Sequence, residues 1–269
     1  MSLPARALRC AIALAALAAP LVFHVPAGSA APAPRLAYDA LGDSYASGYG
    51  APPYLDACGR SPLGYPGLVN GRARIQLDAF VACAGATTVS TVTGGQLAAL
   101  SSATDLVTLS DGGNDIGWSS TVGACLVGTD AQCAGAIAQT QSRVAGVLPG
   151  LLDSLYSQVR ADAPNAEVIV TGYPRLFSPE YGAYMGASPA EQVALNSGAD
   201  QLDAVIAAAA ARHGFDYVSV TNQFVGHGVN SPEPWLHGAL DQAAFHPTPE
   251  GYEVYAGAVT AAVKPGQLR

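Results

Sequence analysis

Four short blocks carry the residue types that acyl transfer uses: a hydroxyl nucleophile, an imidazole base and donors for a developing oxyanion. The first, Leu41-Gly42-Asp43-Ser44-Tyr45-Ala46-Ser47-Gly48, directly follows an apolar run. A serine at a glycine-flanked strand end presents its hydroxyl to a cleft with its backbone N–H pointing the same way. Gly42-Asp43-Ser44 also suits an ordinary turn, since all three residues are favoured there. In the second block, Ala82-Cys83-Ala84-Gly85-Ala86-Thr87-Thr88, Gly85 lets a backbone N–H come close to a substrate oxygen. Its alternative is a bare turn glycine. The third, Ser110-Asp111-Gly112-Gly113-Asn114-Asp115-Ile116-Gly117, has a glycine pair able to swing the Asn114 amide toward the same cleft, with a turn asparagine as the competing account. The fourth, Phe245-His246-Pro247-Thr248-Pro249-Glu250-Gly251-Tyr252, sets His246 in a loop before the last helical segment. Taken in this order, Ser44 as nucleophile, Gly85 and Asn114 as oxyanion donors and His246 as base form a complete acyl-transfer set.

The elements that must position these blocks are strands alternating with helices. Apolar, β-branched runs cover residues 35–41, 75–81, 105–110, 167–171 and 215–220, a pattern that predicts parallel pairing in an α/β sandwich. Helical composition covers 131–161, with a break expected near Pro149-Gly150. It returns over 188–213, where Ser188 is the expected N-cap, Pro189 the first helical residue and Glu191 the partner in a capping box. A last helix is expected after Thr248-Pro249-Glu250, ending near Val263. Ligands of open parallel sheets bind beyond the carboxyl ends of the strands, which is where the first three blocks fall.

The four blocks together resemble the SGNH (GDSL-type) hydrolase superfamily, and the likeness runs over about residues 35 to 263. It implies a three-layer α/β/α sandwich with a flavodoxin-like, mostly five-stranded parallel sheet. It matches Ser44 to the family nucleophile, Gly85 and Asn114 to its oxyanion residues and His246 to its base. The segments 38–45 and 233–238 further resemble secreted actinobacterial esterases and phospholipases. One position departs from the family pattern. An aspartate usually stands three residues before the catalytic histidine, where this chain has Ala243; Asp241 lies five before it. Some secreted members of the subgroup that the chain resembles orient the histidine with a backbone carbonyl, which the segment around Ala243 and Ala244 can supply, so the resemblance favours a Ser-His dyad over a triad with Asp241 as acid.

Asp39 and Asp111 stand where apolar residues are expected in buried strands, each three positions before a block residue, Gly42 or Asn114. Were the first and third strands neighbours, as in the fold resembled, the two carboxyls would meet beside the nucleophile. They would then share a proton and support the site. The alternative is separate satisfaction of each by loop N–H groups or water.

Composition limits the remaining choices. Half of the 269 residues are hydrophobic, enough for a substantial core. Arg6 and Arg9, the apolar run from Cys10 to Phe23 and the small residues of 27–31 read as a secretion leader over 1–31, leaving a single domain over 32–269. Without the leader, ten basic residues face twenty acidic ones, a balance that repels nucleic acid and offers no polybasic membrane patch. No stretch predicts a membrane anchor. The four remaining cysteines predict disulfides in an oxidising compartment. Three pairings exist, and Cys58–Cys83 with Cys125–Cys133 closes the most local loops. No cofactor or metal is expected, since His227, His237 and His246 lack ligand spacing. The expected protein is a secreted, monomeric serine esterase acting on lipid or other acyl esters. The alternatives are a phospholipase A or a carbohydrate or aromatic acyl esterase on the same machinery, and, from another class, a non-catalytic secreted binding module.

Overall fold

Strands buried on both faces need continuous apolar runs, and β1 (Leu36–Gly42) and β3 (Leu106–Ser110) are buried along almost their whole length. In the computed structural model, which describes residues 34–264, they are neighbours at the centre of a parallel sheet. The leader expected over residues 1–31 lies outside the described residues. β2 (Ile75–Phe80) flanks β1, and β4 (Glu167–Thr171) and β5 (Asp216–Val218) continue the sheet beyond β3, giving the order β2-β1-β3-β4-β5. The fifth strand is shorter than the 215–220 run predicts. It lies at the sheet edge, and its pairing ends where Val218 meets the last residue of β4, Thr171.

Helices cover both faces. α1 (Ser44–Ser47) is a single turn at the end of β1; α2 (Tyr65–Val69) and α8 (Pro249–Ala262) pack together on one face. The other face carries α3 (Thr88–Thr93), α6 (Leu148–Asp162) and α7 (Pro189–Arg212), with α4 (Trp118–Val127) and α5 (Asp130–Gly146) stacked against them. This is the three-layer α/β/α sandwich. The break expected near Pro149 falls at Val147, between α5 and α6, because a proline at the second position of α6 cannot continue the i to i−4 ladder of α5. α7 begins with the expected capping box, in which Ser188 N–H donates to the Glu191 carboxylate at 2.9 Å. α4 lies outside the helices expected from composition. It starts from Gly117, a residue in the left-handed region with no side chain to cap the helix.

Two local features shape the carboxyl end of the sheet. β1 is bordered by β2 on one side and β3 on the other, so the connections leaving their carboxyl ends diverge and open a crevice. Gly42 lets β1 end hard against β3. Its φ is +120°, and a Cβ there would meet the Ser110 carbonyl oxygen at 2.3 Å. The Gln96 side chain then clamps the Gly42 residue, accepting from its N–H at 2.8 Å and donating to its carbonyl at 3.0 Å. The disulfides are Cys58–Cys83, which anchors the block containing Gly85, and Cys125–Cys133, which joins α4 to α5.

Candidate active site

Ser44 is the first residue of α1, and the residue before it builds the turn. Asp43 is the N-cap, its carboxylate accepting from the Tyr45 N–H at 2.9 Å, while its own N–H donates to the Ser110 carbonyl of β3 at 2.8 Å. The Ser44 hydroxyl faces His246, whose Nε2 lies 2.7 Å from Oγ. His246 reaches it from the loop that runs into the Thr248 N-cap of α8. The imidazole Nδ1 is 2.9 Å from the Ala244 carbonyl and 3.3 Å from that of Ala243. Carbonyl oxygens only accept, so the hydrogen belongs on Nδ1 and the lone pair on Nε2, aimed at the serine. Tyr45 and Tyr49 flank the ring with centroids 5.2 and 5.0 Å away. The loop itself is pinned by Tyr45 Oη donating to the Phe245 carbonyl at 2.6 Å. Burial holds the His246 pKa below its ordinary value, although the two carbonyls oppose this.

Asp241 is turned away from this pair. Its carboxylate accepts from the Gly238 N–H at 2.8 Å and lies 3.9 Å from His237 Nδ1, closing its own turn. Thus His246 Nδ1 faces two peptide carbonyls and not the Asp241 carboxylate.

Asn114 shares the cleft with Ser44 and His246. Its Nδ2 donates one hydrogen bond, 2.7 Å long, to the Ala86 carbonyl, which couples the third block to the second. The Asp115 carboxylate reinforces that coupling by accepting from Thr88 N–H and Oγ1 at 3.1 and 2.7 Å. Gly85 has φ +83° and, unlike the other three, lines the adjoining groove with Cys58, Cys83 and Gln96. Neither the Ser44 N–H nor the Gly85 N–H has a protein acceptor among the described residues. A Ser-His pair with unoccupied N–H donors nearby can perform nucleophilic attack on a carbonyl.

The structure does not bring Asp39 and Asp111 together; each has its own threonine partner, which fits the alternative of separate satisfaction. The register sets Asp39 opposite Val107 and Gly42 opposite Ser110, so the residue that follows β3 lies beside the one that follows Gly42. Asp111 therefore feels the charge of Asp43, and Asp39, lower in the sheet, accepts from Thr104 Oγ1 at 2.7 Å. Burial first, and the Asp43 charge second, push the Asp111 pKa up; one of its oxygens accepts from Thr91 Oγ1 at 2.8 Å.

Several residues that shape the site escaped the sequence reading. The Tyr173 hydroxyl donates to the Asp43 carboxylate and accepts from the Gly113 N–H at 3.2 Å, linking the nucleophile turn to the Asn114 loop. Tyr173 is itself fixed by its N–H, which donates to Asp203 of α7 at 2.8 Å. Asp43 is fully buried, and its pKa is pushed up to about 6 by that burial, against the lowering effect of the Tyr173 hydroxyl and its other donors. The rule that found the other blocks, inspection of residues just past each strand, lands on Gly172-Tyr173 when applied to β4. The cleft encloses about 100 Å³, and its walls beyond the polar residues include Trp118, Val122, Leu176, Leu202 and Phe245.

The chain matches the GDSL-like Lipase/Acylhydrolase family over residues 40–254, a span that contains all four blocks. It belongs to that family. It is an ester hydrolase of the esterase/lipase kind. Lipase 1 of Streptomyces coelicolor is 40% identical over 88% of this chain and 90% of its own length. A lipase of Streptomyces rimosus is 38% identical over 90% of this chain and 93% of its own. The crystal structure of an extracellular lipase from Streptomyces rimosus superposes with a TM-score of 0.80 at 36% identity, covering 85% of this chain and all of the other. Phospholipase A1 from Streptomyces albidoflavus gives a TM-score of 0.80 at 37% identity with the same coverage.

Proposed function

We propose that the protein hydrolyses carboxylic esters of lipids through an acyl-enzyme on Ser44, with His246 as the only side-chain base. The observation that carries this reading is the 2.7 Å contact between Ser44 Oγ and His246 Nε2, with peptide carbonyls fixing the opposite nitrogen. Oγ attacks the ester carbonyl carbon as its proton passes to Nε2, and the carbonyl electron pair moves onto oxygen. The Ser44 N–H, the Gly85 N–H and the second Asn114 amide hydrogen receive that oxyanion. Collapse expels the alcohol, which leaves with the proton from Nε2. Water then attacks the acyl-serine with the same base, and Oγ recovers its proton as the carboxylic acid departs. The apolar cleft walls support a hydrocarbon acyl group, as do the activities named for the relatives. The leader expected over 1–31 and the two disulfides support action after export. Among the described residues no helix is long and apolar enough to cross a membrane.

A fluorophosphonate probe tests the nucleophile. The expected result is stoichiometric labelling, with the adduct on the peptide containing Ser44 and parallel loss of ester turnover. Turnover that persists in the fully labelled protein, or an adduct on another serine, overturns the assignment.

The pH dependence tests the base. The reaction needs neutral imidazole, and burial lowers the pKa of His246, so kcat/KM should rise with pH through a limb below 6.5 and be level at neutral pH. Asp241→Asn should leave both limb and plateau nearly unchanged, whereas removing a true triad carboxylate can cost about 10,000-fold. A large loss in that variant contradicts orientation by carbonyls, and a limb above 6.5 contradicts the dominance of burial over the two carbonyls.

A further inference from the structure

α7 is rich in alanine, yet a buried glycine, Gly198, stands in its middle. Glycine inside a helix is less favourable than alanine by about 1 kcal/mol. Its φ lies outside the left-handed region, so the backbone does not require it. The neighbouring element does. A Cβ at this position would stand 3.0 Å from Cζ3 and 3.2 Å from Cη2 of Trp118, and beyond the helix's own backbone no other atom comes within 4 Å. The six-membered edge of the indole thus rests on the bare backbone of α7.

Trp118 is the first residue of α4 and lines the cleft, as does Ala199, the residue next to Gly198; Gly198 itself does not. The ring therefore lies on the cleft side of the glycine. A group added at 198 presses on the indole of Trp118, a residue that lines the cleft together with Val122, Leu176 and Leu202. That part of the cleft is apolar, and Ser44 lines the same cleft, so it is where a hydrocarbon chain attached to the reacting carbonyl has to go.

We propose that Trp118, seated on Gly198, gauges the length of the acyl chain, and that the absent Cβ lets the cleft take longer acyl groups than an alanine at 198 allows. The proposal rests on the reading of Ser44 as the acylated residue. Its ligand class is the hydrocarbon acyl group of a carboxylic ester, and its specificity is set by the position of the indole.

The test is a series of p-nitrophenyl esters, with the ratio of kcat/KM for decanoate over butanoate as the readout. Gly198→Ala should lower this ratio by about fourfold for each methylene excluded, the transfer preference of one buried CH2. Trp118→Ala should raise the ratio by opening the end of the pocket. In the Trp118→Ala background, Gly198→Ala should have no further effect, because the clash it acts through is gone. An equal loss on all chain lengths in Gly198→Ala, an unchanged ratio in Trp118→Ala, or an effect of Gly198→Ala that persists without the indole overturns the proposal. Should Gly198→Ala fail to fold, the Trp118→Ala ratio decides alone. Unchanged ratios in variants that still turn over butanoate overturn the gauge and leave Ser44 as nucleophile. A wild-type protein inert toward every ester and toward the fluorophosphonate overturns both.

Discussion

Ser44→Ala and His246→Ala are each expected to reduce ester turnover by several orders of magnitude, and the double variant to be hardly worse than either alone. Nucleophile and base act in one proton-coupled step, so removing one idles the other and the losses do not add. The residual rate should reflect binding and oxyanion donors only. Ser44→Ala is the cleaner probe, because its Oγ makes a single side-chain hydrogen bond, to His246, and nothing else leans on it. His246→Ala also removes a ring packed between Tyr45 and Tyr49, so its melting curve must accompany its kinetics. Retention of more than a tenth of the wild-type rate in either variant, a barrier change of only about 1.4 kcal/mol, removes that residue from the chemistry.

The chain order of the blocks was legible because each chemical residue stands just past a strand or just before the last helix. Parallel strands all discharge at one edge, so Ser44, Asn114 and His246 meet although 202 residues separate the first from the last. Side-chain partnerships across the sheet were less legible, since they depend on register. Equal offsets from Gly42 and Asn114 leave open both a meeting of Asp39 with Asp111 and separate satisfaction of each. Gly42 is opposite Ser110, four residues before Asn114, so Asp43 and not Asp39 lies beside Asp111. The same limit hides the Tyr173 hydroxyl, whose partners are Asp43, 130 residues away, and Gly113, 60 residues away. No local pattern announces such contacts. The two carbonyls at His246 Nδ1 belong to another class, because a base oriented by backbone leaves no residue type to recognise. The absence of an acid at Ala243 was the available sign, and Asp241 closes its own turn instead.

Asn114→Ala is expected to lower kcat on the order of 100-fold, the scale for losing one oxyanion donor, and so to rank below Ser44→Ala. The structure gives the amide a second duty, since one Nδ2 hydrogen is already committed to the Ala86 carbonyl. Alanine removes both the donor and the tie that holds the Gly85 segment, whose own N–H has no acceptor among the described residues. Asn114→Asp separates these effects. An aspartate keeps the shape but replaces the donor with a charged acceptor, which repels both the Ala86 carbonyl and the forming oxyanion. It should therefore be worse than alanine, with most of the extra loss in kcat, because the repulsion grows as charge develops on the substrate oxygen. If Asn114→Ala instead raises KM with kcat unchanged, the amide binds ground state and transition state alike and is no oxyanion donor. Equal rates for Asn114→Ala and Asn114→Asp would remove its charge-stabilising role and leave only the tie to Ala86.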